Sequence, residues 1–340
     1  MAPEDNVEIS VVVPLLNEVE NLPELYDRLC DALSELKRTY EIIFIDDGSI
    51  DDSFSVLKEI AFADPNVRVI RFRRNFGQTA AMSAGFDHSK GSIIIPIDAD
   101  LQNDPNDIGA LLNKIEEGYD IVSGWRADRK DGFVLRRLPS ILANRLIVRL
   151  TGVKLHDFGC TLKAYRRDVI ENIRLYGELH RFIPVLGNLI GAKITEIKVN
   201  HYPRTRGQSK YGISRTLRVI LDLVMIRFLM SYSTRPIQIF GLMGILSFCA
   251  GFVTSAYLSV GKLFFPGGKK EGWLSYFYSE TSLNERMPML ILSVLLLFTG
   301  VQLISMGLIG ELVIRTYHES QSKPIYVIRE IVKCENEEGW

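Results

Sequence analysis

Short apolar runs alternate with amphipathic stretches over the first third of the chain. Leucines between the first two runs recur at spacings of three and four, the helical period, at Leu22, Leu25, Leu29, Leu33 and Leu36. Five apolar runs have the length and composition of strands, namely Ile9 to Pro14, Glu41 to Ile45, Val67 to Phe72, Ser92 to Ile97 and Asp120 to Trp125. This alternation predicts an α/β fold in which helices cover both faces of a mostly parallel sheet.

Two long segments nearer the C-terminus carry no charged side chain. Neither Pro236 to Gly261 nor Met287 to Gly310 contains Asp, Glu, Lys or Arg, and spanning a bilayer takes roughly 20 predominantly apolar residues. The alternative is a pair of buried helices in a large soluble protein, where charge-free runs of this length are rare. We expect transmembrane helices over 236–261 and 287–311, joined by an extracytoplasmic loop over 262–286.

Basic residues orient these predicted spans. The segment from Met1 to Asn6 lacks the basic start and apolar stretch of a secretory signal. Four basic residues precede the first span and four follow the second, but the loop also carries four, so the positive-inside bias is modest. We expect a cytoplasmic catalytic domain over 1–210 and a cytoplasmic tail over 312–340, and homo-oligomers could form through the spans.

Two basic amphipathic stretches lie before the spans. Arginines alternate with leucines in Phe133 to Leu150, and again in Ile213 to Met230. Such stretches suit the surface of an anionic membrane, although ordinary surface helices are the alternative. We predict an interfacial helix over about 133–150 and a juxtamembrane helix over 211–235.

Composition narrows the class of protein. A formal net charge of −1 over 340 residues gives no indication of nucleic-acid binding. The four cysteines are far apart and form neither a CxxC pair nor a Cys/His metal spacing, so we expect no disulfide framework and no zinc site.

Polar side chains follow the predicted strands at the edge where ligands bind in open parallel sheets, outside the carboxyl ends of the strands. They are Asn17-Glu18, Asp46-Asp47-Gly48-Ser49, Asp98-Ala99-Asp100 and Arg126. Asp98 and Asp100 alternate along an extended chain, so both carboxylates can share one hard cation, Mg²⁺ or Mn²⁺. Alternatively they are turn and helix-cap residues. Asp46 and Asp47 could likewise form a turn, or accept hydrogen bonds from a uracil N–H or a ribose hydroxyl.

A basic loop follows, with the sequence Arg204-Thr205-Arg206-Gly207-Gln208-Ser209-Lys210. Its three cations and its amide and hydroxyl groups suit a clamp on phosphate oxygens. A solvated charge run is the alternative.

Together these motifs resemble the family-two glycosyltransferases of GT-A fold, and more narrowly the polyprenyl-phosphate glycosyltransferases. The resemblance rests on Val13 to Glu18, Asp46 to Ser49, Arg74 to Gln78, Asp98 to Pro105 and the RxxGxSK pattern of Arg204 to Lys210. It implies that Pro14, Leu16, Glu18, Asp46 and Asp47 contact the base and ribose, that Asp98, Ala99, Asp100 and Gln102 lie at the metal and diphosphate, and that Arg204, Arg206 and Lys210 close over the donor. Dolichol-phosphate mannose synthases usually have an aromatic residue where Leu16 stands, which weakens the case for GDP-mannose.

The acceptor side follows from the same resemblance. The family places an arginine near the phosphates where Arg126 stands, and an acidic residue near the acceptor where Asp157 stands. Arg126, Arg136 and Arg137, with Ser209, could hold a lipid phosphate at the membrane boundary. Asp157 could act as a base, but a phosphate with a second pKa of about 6 is already nucleophilic at neutral pH, so it could instead orient the acceptor.

The expected activity is inverting transfer of a hexose, favoured to be glucose from UDP-glucose, to undecaprenyl phosphate. We place it at the cytoplasmic face of a bacterial inner membrane, in cell-envelope glycan modification, with Asp100 and Asp157 as catalytic residues. Alternative donors are GDP-mannose and a UDP-N-acetylhexosamine. A processive polysaccharide synthase is disfavoured because no QxxRW motif is present, and a non-catalytic scaffold because the acidic motifs are intact.

Overall fold

A computed structural model describes residues 7–127, most of 144–203, residues 325–333 and seven single positions between 291 and 316. The chain divides into a unit of Met1–Arg227 with Pro324–Trp340 and a unit of Phe228–Lys323. Within the described residues, no helix is long and apolar enough to cross a membrane. The predicted segments 211–235, 236–261 and 262–286 lie outside the described residues, as does 287–311 except for single positions.

The first unit is built on an eight-stranded sheet in the order β7-β5-β6-β4-β1-β2-β3-β8. Strands β1, β2, β3 and β4 pair in parallel, as do β5 and β7, whereas β6 and β8 run antiparallel to their neighbours. The strands are β1 Ile9–Leu15, β2 Tyr40–Asp46, β3 Val67–Phe72, β4 Ile93–Pro96, β5 Ile121–Trp125, β6 Lys163–Arg166, β7 Ile194–Lys198 and β8 Ile328–Lys333. The predicted mostly parallel α/β fold and its five strands are confirmed.

Helices connect these strands and cover the sheet. The helices are α1 Leu22–Glu35, α2 Ser53–Ala63, α3 Gln78–His88, α4 Ile108–Glu116, α5 Arg167–Glu171 and α6 Ile183–Leu189. In α1, the predicted leucines Leu22, Leu25, Leu29 and Leu33 are all buried in the core. Val11, Val12 and Val13 of β1 are fully buried in succession, as expected for a strand covered on both faces.

Helix α3 packs unusually close to the sheet. A Cβ atom added at Gly85 would lie only 2.2 Å from Cγ1 of Val12 in β1, so the absence of a side chain permits this approach. Small residues at Ala80, Ala81 and Ala84 of the same helix are buried as well. Close packing of α3 fixes the position of its first residue, Gln78, at the carboxyl edge of the sheet.

Strand β8 was not predicted and belongs to the tail that follows the second predicted span. It pairs with β3 in antiparallel register, with Val332 opposite Val69 and Ile331 opposite Ile70. The first unit therefore includes residues 325–333 in addition to the N-terminal region.

Candidate active site

The loops after β1 and β2 are joined by hydrogen bonds. The backbone N–H of Asn17 donates to Oγ of Ser49 at 2.9 Å, and Oδ1 of Asn17 accepts from the N–H of Ile50 at 2.9 Å. Asn17 adopts a left-handed conformation with φ of 52°, which Asn tolerates better than most residues. Leu16 is half-buried beside it and Pro14 is buried within β1. The carboxylate of Glu18 accepts from Nδ2 of Asn21 at 2.7 Å. The structure thus brings the first two predicted donor-binding segments together.

Asp46 and Asp47 have different surroundings although they are adjacent. Asp46 is fully buried at the end of β2, where Oδ1 accepts from the N–H of Ser49 at 2.8 Å and Oδ2 lies 3.4 Å from Nε of Arg71. This separation makes an ion pair without a hydrogen bond, since Oδ2 has no hydrogen-bond partner. The carboxylate of Asp46 is therefore engaged within its own turn and with β3.

Asp47 instead organises the loop that follows β3. Its two carboxylate oxygens accept from the backbone N–H groups of Phe76 at 2.7 Å and of Gly77 at 2.9 Å. Burial raises the pKa of Asp47, and these two hydrogen bonds partly counter the effect. Gly48 lies against the same loop, because a Cβ added there would be 2.6 Å from the carbonyl carbon of Arg74. The 73–77 loop is thereby fixed beside the second acidic turn.

Asp98 lies at the centre of the site and is held from two sides. Oδ1 accepts from Nε2 of Gln78 at 2.9 Å, and Oδ2 accepts from Oγ1 of Thr161 at 2.7 Å. Burial, followed by the charge of Asp100, raises the pKa of Asp98 to about 6. The two carboxylates are therefore close enough to repel each other, and a shared cation would relieve that repulsion.

The reason for this proximity differs from the prediction. Strand β4 ends at Pro96, before the predicted end at Ile97, and buried Ala99 and Asp100 lie in the turn that follows. Leu101 takes a left-handed conformation with φ of 59°. The turn at Ala99 and Asp100 therefore positions the second carboxylate, whereas the prediction attributed its position to strand alternation.

These residues fit one kind of metal site. Among the described residues, no group of three or more His, Cys, Asp or Glu side chains could hold a metal ion. Two carboxylates are what Mg²⁺ commonly takes from a protein when substrate phosphates and water complete its coordination. Asp98 and Asp100 match that donor set, and they do not match a metal site closed by protein ligands alone.

Gln102 joins this turn to the end of the described N-terminal region. Its carbonyl oxygen accepts from the N–H of Tyr202 at 2.9 Å, and the Tyr202 hydroxyl donates to Oδ2 of Asp104 at 2.9 Å. The residues that directly precede the predicted phosphate clamp are therefore anchored beside Asp100.

Arg126 and Asp157, which were predicted separately, form one ion pair. Nε and Nη2 of Arg126 donate to the two carboxylate oxygens of Asp157 at 2.7 and 3.0 Å, a bidentate arrangement. Their side chains are 13% and 5% exposed, so the pair is largely shielded from water. Burial lowers the pKa of Arg126, but the hydrogen bond and charge of Asp157 outweigh burial and raise the pKa overall.

Three further side chains support the site, and none of them was predicted from the sequence to be a site residue. Gln78 and Thr161 hold Asp98, and Lys163 of β6 is buried with its Nζ donating to the carbonyl oxygen of Cys160. Burial lowers the pKa of Lys163, although the carboxylates of Asp157 and Asp98 act in the opposite direction. The sequence held one signal for Gln78, which ends the Arg74 to Gln78 motif, but none for the pairing of Thr161 with Asp98.

Comparison with known proteins identifies the fold and chemistry. Residues 10–174 match the family model described as Glycosyl transferase family 2. Over 97% of its length the chain is 41% identical to the dodecaprenyl-phosphate galacturonate synthase of Rhizobium johnstonii, of which it covers 94%. The chain belongs to the family 2 glycosyltransferases. The resemblance inferred from its motifs is confirmed.

A second relative of this glycosyltransferase is the undecaprenyl-phosphate 4-deoxy-4-formamido-L-arabinose transferase of Pseudomonas aeruginosa, 38% identical over 96% of this chain and 91% of that one. Among solved structures, glucosyl-3-phosphoglycerate synthase from Mycobacterium tuberculosis in complex with Mn²⁺, UDP and phosphoglyceric acid superposes with a TM-score of 0.50. It is 18% identical, and the match covers 66% of this chain and 78% of that one. At this identity the likeness shows the fold, which is of the predicted GT-A type.

Several predicted site residues of the glycosyltransferase lie outside the described residues. They are Arg136 and Arg137 in the predicted interfacial helix, and Arg204, Arg206, Ser209 and Lys210 in the predicted phosphate clamp. The described positions 144, 145 and 147–149 are helical, in agreement with a helix over part of 133–150.

Proposed function

We propose that this glycosyltransferase transfers one sugar, with inversion, from a UDP-sugar to polyprenyl phosphate at the cytoplasmic face of a bacterial inner membrane. The observation that carries the proposal is the paired arrangement around Asp98. On one side Gln78 links Asp98 to the loop held by Asp47, and on the other side Thr161 links it to the segment that contains Asp157. Both halves of a transfer site therefore converge on one carboxylate.

The donor half comprises the loops after β1, β2 and β3. Pro14, Leu16, Glu18 and Asp47 would contact the base and ribose, and Gln102 follows the two acidic residues that would hold the cation. Asp98 and Asp100 would hold Mg²⁺ or Mn²⁺, which would neutralise charge developing on the departing diphosphate. The solved structure of similar fold was determined with Mn²⁺ and UDP, which supports a divalent cation in general.

The acceptor half centres on the Arg126–Asp157 pair. A phosphate monoester is already largely anionic at neutral pH, so it attacks the anomeric carbon without a strong base. Because both oxygens of Asp157 accept hydrogen bonds from Arg126, we assign Asp157 to holding the guanidinium in place. Arg126, with Arg136, Arg137 and Ser209, would then draw the lipid phosphate toward the sugar.

The position of β8 supports the membrane topology. β8 pairs with β3 of the catalytic unit, so both ends of the segment 204–324 lie on the same side of any bilayer. An even number of crossings satisfies this condition, and the predicted spans over 236–261 and 287–311 provide two. The catalytic domain and the tail would then share the cytoplasmic side.

Donor identity is the finer part of the proposal. The two relatives are named for galacturonate and for 4-deoxy-4-formamido-L-arabinose, whereas sequence reasoning favoured glucose. Because those relatives match nearly the full chain, we propose UDP-galacturonate as the first donor to test, followed by UDP-4-deoxy-4-formamido-L-arabinose and UDP-glucose.

The experiment is a lipid-transfer assay with purified full-length protein, undecaprenyl phosphate, Mn²⁺ and a panel of radiolabelled UDP-sugars, with GDP-mannose included. We expect label from one UDP-sugar in the lipid fraction, one sugar per lipid, and loss of transfer on addition of EDTA. Asp98→Ala and Asp100→Ala should lower the rate roughly 100-fold or more, since each removes a ligand of the cation that would stabilise transition-state charge. Asp31→Ala, on the exposed side of α1, is the matched control. Absence of labelled lipid with every donor would refute the proposal, and a polymeric product would favour a polysaccharide synthase.

A further inference from the structure

Tyr326 connects the two elements that flank the 73–77 loop. Its ring stacks on Phe72, the last residue of β3, with ring centroids 5.2 Å apart and planes at 10°. Its hydroxyl donates to Oδ2 of Asp87, near the end of α3, at 3.0 Å. Tyr326 is only 7% exposed, and its neighbour Val327 accepts from the N–H of Arg73 at 3.1 Å.

Contacts continue from Tyr326 to the donor site. Phe72 meets Phe76 edge-to-face, with centroids 5.7 Å apart. The N–H groups of Phe76 and Gly77 donate to Asp47, and Gln78 at the start of α3 donates to Asp98. Arg73, Arg74 and Asn75 are exposed, so most of the loop has no core packing of its own. Its conformation therefore depends on the contacts with Asp47 and Gly48 and on what fixes its two ends.

We infer that Tyr326 is a positioning residue for the donor site: by tying the end of β3 to α3, it holds the 73–77 loop in the conformation that binds Asp47 and presents Gln78 to Asp98. The inference rests on the proposed function only in assigning this loop to the nucleotide. It makes nucleotide binding depend on a residue that follows the predicted membrane segment by sequence.

The test compares two tyrosines with the same polar contact. Tyr26 also donates to a carboxylate, Oδ2 of Asp64, at 3.0 Å, but it joins α1 to the end of α2. UDP binding in the presence of Mn²⁺ is titrated for Tyr326→Phe, Tyr326→Leu, Tyr26→Phe and Tyr26→Leu in the full chain. We expect about 2- to 3-fold weaker binding for Tyr326→Phe and about 5- to 20-fold for Tyr326→Leu, which loses the ring stack as well. Both Tyr26 variants should bind as the original protein does.

Amide hydrogen exchange provides a readout that does not depend on activity. In Tyr326→Leu, exchange at the Phe76 and Gly77 amides should accelerate more than exchange in β1 and β2, because those two amides donate to Asp47. Unchanged UDP binding, or exchange raised equally throughout the sheet, would overturn the inference, since either result leaves Tyr326 with a general packing role. If the original protein binds no UDP, the donor assignment fails, while the exchange pattern still decides whether Tyr326 braces the loop.

Discussion

Replacing Gly48 with alanine tests how the donor site is held together. Gly48 has φ of 77°, and the added Cβ would lie 2.6 Å from the carbonyl carbon of Arg74 and 2.8 Å from the nitrogen of Asn75. A left-handed conformation costs alanine about 1–2 kcal/mol. The Arg74 backbone must also retreat by about 0.8 Å to reach ordinary contact.

That movement acts on the hydrogen bonds from Phe76 and Gly77 to Asp47, and one hydrogen bond to a charged group contributes about 1.5–3 kcal/mol. The loss in unfolding free energy should therefore be about 2.5–5 kcal/mol, measured by urea denaturation. UDP binding should weaken by about 10-fold or more, because the loop leads directly into Gln78 and its displacement would disturb the hydrogen bond from Gln78 to Asp98.

Gly118 provides the matched control for this substitution. It has φ of 96° at the end of α4, and nothing lies within 4 Å of an added Cβ. Gly118→Ala should therefore incur only the conformational cost of about 1–2 kcal/mol and leave UDP binding unchanged. Equal stability losses for the two variants, together with unchanged UDP binding in Gly48→Ala, would refute the reasoning.

Three further predictions concern buried polar groups. Asp157→Asn should lower the unfolding free energy by about 3–5 kcal/mol because it leaves Arg126 buried without its counter-charge; a double Arg126→Met/Asp157→Leu protein as unstable as the sum of the single variants would contradict this. Glu41→Leu removes the hydrogen-bond acceptor of Ser10 and Arg68 at the sheet edge opposite the site. Urea denaturation should show an unfolding free energy lower by about 2–4 kcal/mol. The affinity for UDP should change less than twofold. Burial raises the pKa of Cys160 to about 11, so at pH 7.5 its thiol stays protonated. Peptide-level mass spectrometry should therefore find Cys160 alkylated by iodoacetamide only after denaturation. Rapid labelling of the folded protein would contradict this prediction, because it would show that the thiol is accessible.

The central strands could be predicted because their residues are apolar on both faces. The apolar side chains of Val11, Val12 and Val13, and the leucines at helical spacing, indicate by themselves that these positions are buried. Strands β6 and β8 have no such apolar run. Charged and apolar residues are mixed in both, in Lys163-Ala-Tyr-Arg166 and in Ile328-Arg-Glu-Ile-Val-Lys333. These two strands join the sheet by pairing with strands that are distant in sequence, and a local sequence pattern gives no information about such pairing.

The same distinction applies to the site. Asp47, Asp98 and Asp100 could be predicted as donor-site residues because acidic residues after parallel strands are informative by themselves. The pairing of Arg126 with Asp157 was not predicted, because 31 residues separate them and each had a separate interpretation. Gln78 and Thr161 are common residue types whose role comes only from their distance to Asp98. The sequence therefore predicted residues that the structure brings close together, but not the hydrogen bonds between them.

Pairing of β3 with β8 has a consequence for biosynthesis. Arg68 lies opposite Lys333 in this ladder, so the sheet is completed only after residue 333 has been synthesised. Until then the edge of β3 is unpaired, and the ring of Phe72 lacks its stacking partner Tyr326. Unpaired strand edges pair readily with other chains. A soluble fragment ending at residue 203 would keep that edge permanently. Appending residues 325–333 to such a fragment through a flexible linker would supply the missing strand and should limit its aggregation.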